Sequence, residues 1–419
     1  NDFRTMFSGT PPSGMHTVKT APKLKNINLS SNYYLTNAGF TEVTSPDLYN
    51  FNIYSTGLPF PNLSNKIKLV TVTAYWTRNF GTFFYNGTDM ASTATAGTYK
   101  LNACTSLENI QCYAAGVSGE WPVFTNPALR YLDVRYTSLS GGGGVDINNP
   151  TGFSRNSGGP NGKGYAIPPN ILTGCPNLHT FYCISWSFAT DSQIGYDVFQ
   201  SCPELRNLYI YTGSGGIGGA VPNLSGLSKL TNVYLWWNRF SGSVPALSGA
   251  SNLYYIGLQG NRFTGTVPGY ANLPNAHYIY LHNNAIQGLS DFGYLPNLRR
   301  FYCHNNQLVG NLPRYGGTDR CYRLEYLLLY NNQLTGYTAG ALTELPWLRY
   351  LDVSNNQFTQ SALNSLVDDL FDNYENYNRG GVTINIRNIR NNGAIVLPGE
   401  DQLDKIDILQ TKGWTWRVN

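Results

Sequence analysis

The central part of the chain carries one pattern of apolar and polar positions six times. Each copy has apolar residues at its first, fourth and sixth positions and an asparagine at its ninth. The copies begin at Leu230, Leu253, Ala276, Leu298, Leu324 and Leu348. Successive starts are 23, 23, 22, 26 and 24 residues apart. A fixed pattern at a nearly constant period predicts a small structural unit that stacks on copies of itself.

The middle of each copy predicts a short strand. In the first copy, Val233-Tyr234-Leu235 alternates apolar and polar residues, which is typical of a strand with one buried face. A single strand of this kind cannot bury its apolar side, so successive coils must stack, about 4.8 Å apart. The asparagine that follows, Asn238 in this copy, stands where the chain turns inward. Its amide group can bond backbone groups that the turn leaves unpaired, so stacked copies are expected to form a buried ladder.

A second signal follows the asparagine in three copies. The segments 240–245, 263–268 and 308–313 each have glycine third and proline last. The nine-residue pattern is that of a leucine-rich repeat. These segments resemble the plant type, whose N-x-L-x-G-x-(I/V)-P stretch implies a second row of strands on the convex side. The predicted fold is an α/β solenoid, a right-handed leucine-rich repeat coil with a parallel β-sheet on its concave face and a C-terminal α/β cap.

The period also predicts the organisation of the chain. Residues 1–23 lack periodicity and predict an N-terminal arm that attaches the protein to a larger assembly. Residues 24–357 are the predicted solenoid, with insertions at about 75–100 and 140–165; whether residues 24–100 join the main stack stays open. After Asn356 the spacing becomes helical over 361–374, and a strand, a helix and a final strand follow. Residues 358–419 are therefore predicted to cap the last coil.

Outward positions of the strands are rich in aromatic residues. They are expected to line the concave face because strand residues alternate between the two sides of a sheet. Tyrosine and tryptophan combine a large contact area with a polar tip, which suits the binding of proteins or sugars. A plainer interpretation is that cross-strand aromatic pairs stabilise the sheet. The candidate binding residues are Tyr182, Tyr209, Tyr211, Tyr234, Trp236, Tyr255, Tyr278, Tyr280, His282, Tyr302, His304, Tyr326 and Tyr330.

Composition narrows the classes of function. The net charge is +4, only 12% of residues are charged, and no run of Lys and Arg occurs, so nucleic acid is not an expected partner. No apolar run is long enough for membrane insertion. His282 and His304 share a register on neighbouring coils, but no acidic third ligand accompanies them, so no metal is expected. The seven cysteines fall in core registers and are expected to be buried thiols. No motif indicates a cofactor or a catalytic residue.

The end of the chain carries a more specific resemblance. The helix, the Val-Thr-Ile-Asn-Ile strand at 382–386 and Leu409-Gln-Thr-Lys-Gly-Trp414 resemble the ends of leucine-rich repeat proteins from marine bacteria and their tailed phages. That resemblance implies binding without catalysis by a virion component that meets the host. The expected function is non-catalytic recognition or adhesion at an extracellular or virion surface, as a fibre, tail or capsid decoration. The expected partner is a host-surface protein or glycan, with other virion proteins contacting residues 1–23.

Two alternatives remain open at this stage. The chain could be a structural assembly or decoration protein that packs against identical copies of itself. It could also be a polysaccharide-degrading enzyme, although no close carboxylate pair can be placed on the repeats. The insertions at 75–100 and 140–165 could hold such a pair.

Overall fold

The computed structural model describes residues 23–31, 43, 45–54, 63, 65–74, 101, 103–113, 118–121, 123–136, 138–140, 165–184, 192–213, 216–270, 273–292, 295–315, 321–391 and 393–418. Residues 1–22 of the predicted arm, all of 75–100 and residues 141–164 lie outside this set. The chain divides into two compact units, Asn1–Leu227 and Ser228–Asn419. The predicted three-part division into arm, solenoid and cap stays a prediction.

The first unit is built on a parallel sheet of short strands, one from each coil. Each strand pairs in register with the next, for example Asn26 with Asn50 and Thr71 with Asn109. The predicted coils between residues 24 and 74 therefore stack on the coils that follow residue 100. The strands are β1 (Asn26–Asn28), β2 (Asn50–Asn52), β3 (Thr71–Thr73), β4 (Asn109–Gln111), β6 (Tyr131–Asp133), β9 (Thr180–Ile184) and β11 (Asn207–Tyr211).

Shorter strands lie between these in the first unit. β5 (Ser118–Glu120) pairs in parallel with β7 (Ser138–Ser140), and β8 (Tyr165–Ile167) pairs in parallel with β10 (Gln193–Ile194). The two-residue strand β12 (Gly218–Gly219) is the last strand of the unit. These pairs form the remaining sides of the coils, which lets each coil close around its apolar residues.

The second unit repeats the arrangement with more regular coils. Its main sheet is parallel and in register, as when Ile256 pairs with Ile279 and Leu327 with Leu351. The strands are β13 (Asn232–Tyr234), β15 (Tyr255–Gly257), β18 (Tyr278–Tyr280), β20 (Arg300–Tyr302), β22 (Tyr326–Leu328), β24 (Tyr350–Asp352), β25 (Thr383–Asn385) and β28 (Thr415–Arg417).

The predicted second row of strands is present in this unit. The glycine-containing segments form strands that pair in parallel, β14 with β16, β17 with β19 and β21 with β23. Their bounds are β14 (Arg239–Ser243), β16 (Arg262–Thr264), β17 (Thr266–Val267), β19 (Gly288–Leu289), β21 (Val309–Leu312) and β23 (Gln333–Tyr337). Two strand rows and the apolar residues between them make each coil of the predicted leucine-rich repeat solenoid.

The C-terminal segment follows the predicted pattern. Helix α1 (Gln360–Tyr377) is capped at its N-terminus by Thr359, whose side-chain oxygen accepts the backbone N–H of Ala362. Helix α2 (Glu400–Thr411) packs on α1, and the strands β26 (Arg390–Asn391) and β27 (Ala394–Ile395) form a small antiparallel pair. Strands β25 and β28 extend the main sheet beyond β24, so backbone and apolar groups of the last repeat are covered.

The buried asparagine ladder is also present. Asn261 donates to the carbonyl of Leu258 in its own coil and to that of Leu235 in the preceding coil, at 3.0 and 2.8 Å. Its Oδ1 accepts the backbone N–H of Phe240 at 3.1 Å. The same three contacts recur around Asn356. The asparagine thus satisfies the turn of one coil and joins it to the coil before, as the sequence predicted.

Candidate functional site

The thirteen candidate residues are all described, and all stand at outward positions of the main sheets. Three of them lie in the first unit and ten in the second. Alternation along the strands predicts rings that project fully into water. In the structure the rings are half-buried, and His304 is only 8% exposed. The reason is that neighbouring coils bring the rings close enough to pack on one another.

The second unit carries a continuous layer of rings, named here the aromatic surface. Nine of its ten rings contact one another along a strand or between strands, and the side chain of Arg300 links the tenth, Tyr326, to Tyr278. Tyr234 stacks on Tyr255 with ring centroids 4.2 Å apart, and Tyr280 stacks on Tyr302 at 4.7 Å. The aromatic surface comprises Tyr234, Trp236, Tyr255, Tyr278, Tyr280, His282, Tyr302, His304, Tyr326 and Tyr330.

Tyr255 is the centre of one half of this layer. Besides stacking on Tyr234, its ring meets Tyr280 edge to face at 5.3 Å and contacts Trp236 at 6.5 Å. The ring can lie there because the register position beside it is Gly257. A Cβ on that glycine would stand 2.8 Å from Cε1 of Tyr255 and 3.2 Å from Oε1 of Gln259. The glycine therefore leaves a gap in the aromatic row, and a tyrosine from the neighbouring row fills it.

Histidines and a tyrosine form the other half. The His282 and His304 rings stack at 4.4 Å, and Tyr330 stacks on the far side of His304 at 4.3 Å. The Nδ1 atoms of both histidines are buried and have no hydrogen-bond partner among the described residues. An unpaired buried N–H costs more than an unpaired lone pair, so we infer that the proton sits on Nε2. The two rings then present neutral N–H donors at the outer edge.

Burial also sets the charge state of the phenols. It raises the pKa of Tyr255, of Tyr280 and of Tyr302 above the ordinary value, with the nearby Arg300 opposing the rise at Tyr280 and Tyr302. All three hydroxyls are therefore protonated at neutral pH and can both donate and accept hydrogen bonds. The surface is apolar in its body and carries polar groups at its rim, which is the composition of a binding face.

Arginine side chains are held between tyrosine rings in each unit. In the second unit, Cζ of Arg300 lies 5.7 Å from the ring centre of Tyr278 and 4.9 Å from that of Tyr326. These are cation–π distances. Arg300 stands in the register row of Tyr278 and Tyr326 on adjacent strands, so the sheet itself positions this contact.

The first unit has a smaller aromatic group around Tyr182. Its ring stacks on Tyr209 at 4.2 Å and contacts Tyr131 at 5.7 Å. Arg135 lies 4.8 Å from the Tyr182 ring and forms two hydrogen bonds, of 2.9 and 2.7 Å, to the buried carboxylate of Asp133. The candidate Tyr211 closes strand β11 and is half-buried there.

A second, outer row of asparagines borders the aromatic surface. Asn305 donates to Asn283 at 2.8 Å, Asn331 donates to Asn305 at 2.6 Å, and Asn355 donates to Asn331 at 2.6 Å. All four have positive φ, between 52° and 57°, a conformation that asparagine tolerates better than most residues. Beyond Asn355 lies a groove of about 570 Å³ lined by amide side chains, including Gln357.

Sequence reasoning missed the gap at Gly257 and the outer asparagine row. A signal for the row was available, because four copies read Asn-Asn where the coil turns. Nothing in the sequence marked Gly257, since its role depends on a ring from its own strand folding over it. Alternation along β20 predicts that Arg300 is a polar neighbour of the candidate residues. Its position between two rings could be seen only from the register of three adjacent strands.

The described residues include no cluster that could bind a metal ion and no exposed cysteine. Among the described residues, no group of three or more His, Cys, Asp or Glu side chains could hold a metal ion. All seven cysteines are buried free thiols, as predicted from their registers. Within the described part of the chain, neither helix has the length and apolar content needed to cross a membrane.

Comparison with known proteins supports the fold. The family model described as Leucine Rich Repeat matches residues 347–368, which span strand β24 and the first part of helix α1. No curated protein matches the chain. Together with the strand register and the asparagine ladder, the match to the repeat model identifies the fold as that of a leucine-rich repeat protein.

Solved structures with this fold come from plants and bacteria. The Arabidopsis receptor kinase HAESA, in complex with the peptide hormone IDA and a co-receptor, is 20% identical with a TM-score of 0.56. That match covers 90% of this chain and 63% of the HAESA chain in that structure. A leucine-rich repeat protein of Leptospira interrogans is 17% identical, with a TM-score of 0.50 and coverage of 78% and 72%. The chain spans between about half and two thirds of the plant receptor structures.

Proposed function

We propose that this protein is a non-catalytic recognition protein that binds a protein partner through the aromatic surface of its second unit. The observation that carries the proposal is the layer of ten aromatic and histidine rings on one face of the sheet, nine of which pack on one another. Rings of this kind lose little conformational entropy on binding because their neighbours already hold them. The structural similarity to HAESA, which was solved with a peptide hormone, supports a peptide or protein partner.

The packing of the rings favours a protein over a glycan. A sugar binds an aromatic side chain by placing its polarised C–H groups on the electron-rich ring face. Here many faces already contact a neighbouring ring, as between Tyr280 and Tyr302 and on both sides of His304. The aromatic surface therefore offers ring edges, hydroxyls and imidazole N–H groups. Such groups suit the carbonyls and apolar side chains of a polypeptide.

The proposed setting is an extracellular or virion surface, where the protein would act as an adhesin or decoration. The support for it is the sequence resemblance to repeat proteins of marine bacteria and their phages. Antibodies against the chain should label the outside of intact virions or cells of the source. Labelling that appears only after lysis would exclude this setting.

The test of the binding face uses a matched pair of triple variants. The first replaces Tyr234, Trp236 and Tyr280 by alanine. The control replaces Tyr322, Trp347 and Tyr377 by alanine, which removes the same residue types from exposed positions of the same unit. Binders from a displayed library of random peptides are selected on the wild-type chain and titrated against both variants, with circular dichroism as a check of folding.

The expected result is that the first variant loses binding and the control retains it. Equal binding by both would exclude the aromatic surface. A glycan array on the wild-type chain provides the opposing arm, because specific sugar binding that the first variant loses would replace the protein partner by a glycan. Analytical ultracentrifugation tests the assembly alternative, which predicts an obligate oligomer that dissociates in the first variant.

A further inference from the structure

Arg135 and Arg300 are each held between two tyrosine rings, and they differ in one respect. Arg135 in the first unit contacts the rings of Tyr113 and Tyr182, at 5.0 and 4.8 Å, and forms a two-point ion pair with Asp133. Arg300 in the second unit contacts two tyrosine rings in the same manner. Among the described residues, no carboxylate lies within ion-pair distance of Arg300.

Register explains why Arg300 lacks a carboxylate partner. Asp133 stands two residues before Arg135 along the chain and accepts two hydrogen bonds from it. Two residues after Arg300 comes Tyr302, and the same position of the preceding strand is Tyr280. The neighbouring outward positions are thus occupied by phenols, which can accept a hydrogen bond but carry no charge.

The acidic groups of the surrounding strands are committed elsewhere. Glu325 pairs with Arg299 at 3.4 Å. Asp352 is buried and accepts hydrogen bonds from Ser354 and Asn385, at 2.6 and 2.9 Å for the closest contacts. Both carboxylates already bind other groups of the protein, and neither forms an ion pair with Arg300.

An arginine between two rings presents its N–H groups in a fixed direction. The guanidinium lies between two tyrosine rings, and it also hydrogen-bonds the hydroxyl groups of Tyr280 and Tyr302. A guanidinium has five N–H donors, so those that the phenols do not use remain for a ligand. Arginine stays charged when partly buried, and a planar carboxylate matches two of its donors at once. The ordering entropy that such a pair normally costs has already been lost in the folded protein.

We propose that Arg300 is an anion-binding subsite of the aromatic surface, and that it takes the side-chain carboxylate of an aspartate or glutamate in an acidic segment of the protein partner. The inference rests on the proposed function and names the partner's chemistry. Charge complementarity supports it, because Arg417 is exposed on strand β28 of the same sheet and Arg387 is exposed in the turn after strand β25, whereas Asp352 on that sheet is internally bonded.

The experiment starts from peptides selected on the wild-type chain from a random linear library. Arg300→Gln removes the charge, and Arg300→Lys keeps the charge without the planar fork. Arg262→Gln is the control, since Arg262 is exposed on β16 and the change in net charge is identical. Each selected peptide is also made with its acidic residues replaced one at a time by the matching amide.

The wild-type chain should enrich peptides that contain Asp or Glu. One acid-to-amide replacement should weaken binding about ten- to hundredfold, the effect of losing a charge-assisted hydrogen-bonded pair. Arg300→Gln should bind the acidic and amide peptides equally, Arg300→Lys should fall between, and Arg262→Gln should behave as wild type.

The outcomes separate the two proposals. If selected peptides lose binding in the aromatic triple variant but show no acidic enrichment, the Arg300 subsite is wrong and the binding face stands. The subsite is also wrong if acid-to-amide replacement weakens binding equally for wild type and Arg300→Gln. If no selected peptide loses binding in the aromatic triple variant, the proposed function itself is wrong.

Discussion

The imidazole rings of His282 and His304 lie parallel within 11°, with their centroids 4.4 Å apart. They come from neighbouring coils at the same register, so the spacing of the coils sets the stacking distance. Both rings are held neutral. Burial lowers the pKa of His282 to about 4, and burial together with the charge of His282 lowers the pKa of His304 to about 3.

This pair predicts acid sensitivity. In the unfolded chain the two histidines have the ordinary pKa of about 6.5. Between that pH and about 4 the unfolded state therefore binds more protons than the folded state. The free energy of unfolding should therefore fall as the pH is lowered through this window, by on the order of 2 kcal/mol after screening by solvent. Urea titrations at pH 7 and 4.5 measure the difference.

A double variant identifies the origin of that sensitivity. Replacing His282 and His304 by glutamine should flatten the loss of stability between the two pH values. His277→Gln is the control, because His277 lies outside the stacked pair, on Tyr254. A double variant that retains the full wild-type dependence would place the sensitivity elsewhere.

Gly257→Ala should disturb binding more than folding. The new Cβ would stand 2.8 Å from Tyr255 and 3.4 Å from Trp236, so the Tyr255 ring must leave its place above the sheet. The backbone of Gly257 has no positive φ to restrict the substitution, and we expect a loss of only about 1 kcal/mol in the free energy of unfolding.

Affinity for peptides selected on the wild-type chain should fall because Tyr255 is the centre of one half of the layer. Tyr255→Ala provides the comparison, since it removes the ring outright. If Gly257→Ala binds as tightly as wild type while Tyr255→Ala does not, the ring does not depend on the gap.

The two asparagine rows should differ sharply in their contribution to stability. Asn261→Ala removes an acceptor for Phe240 and a donor for two buried carbonyls, one in its own coil and one in the preceding coil. We therefore expect a loss of about 2–4 kcal/mol in the free energy of unfolding.

The outer row provides the matched variant, Asn305→Gly. Glycine keeps the positive φ of 54°, and water replaces the two side-chain bonds, so the loss should stay under about 1 kcal/mol. Chemical denaturation of both variants tests this. Equal losses would show that both rows carry the fold.

The cysteines should be inert in the folded protein. Burial raises the pKa of Cys104 to about 11 and that of Cys175 and of Cys202 to about 12, so the reactive thiolate is scarce at neutral pH. A thiol reagent at pH 8 should label none of the seven at a measurable rate in the native state and all seven in denaturant. Rapid labelling of the native chain would mean that the coils open locally.

Much of the fold could be predicted because the repeat is a local pattern. Each coil needs three apolar positions and one asparagine, and these stand within nine residues of one another, as at Leu253 and Asn261. Several coils of the first unit were harder to predict, since other residues occupy their asparagine positions, as Ala115 and Thr137 do. Their stacking followed only from the strand pairing of Thr71 with Asn109.

The candidate site was predictable in position but not in arrangement. Alternation along a strand was enough to place Tyr280 and Tyr302 on one face, because successive side chains point to opposite sides. It could not show which rings stack, since stacking depends on the residues at the same register of neighbouring coils. Gly257 and Arg300 acquire their roles only through such neighbours.

By itself, the sequence determined a stacked leucine-rich repeat coil, its buried asparagine ladder and the face on which the tyrosines lie. Those properties depend on periodicity within one coil, which is written in adjacent residues. Only the tertiary structure decided that the rings pack on each other and that Tyr255 fills the gap at Gly257. It also decided that Arg300 lies between two tyrosine rings and forms no ion pair with a carboxylate. Those properties depend on contacts between coils some 20 or more residues apart, whose exact register a single repeat does not specify.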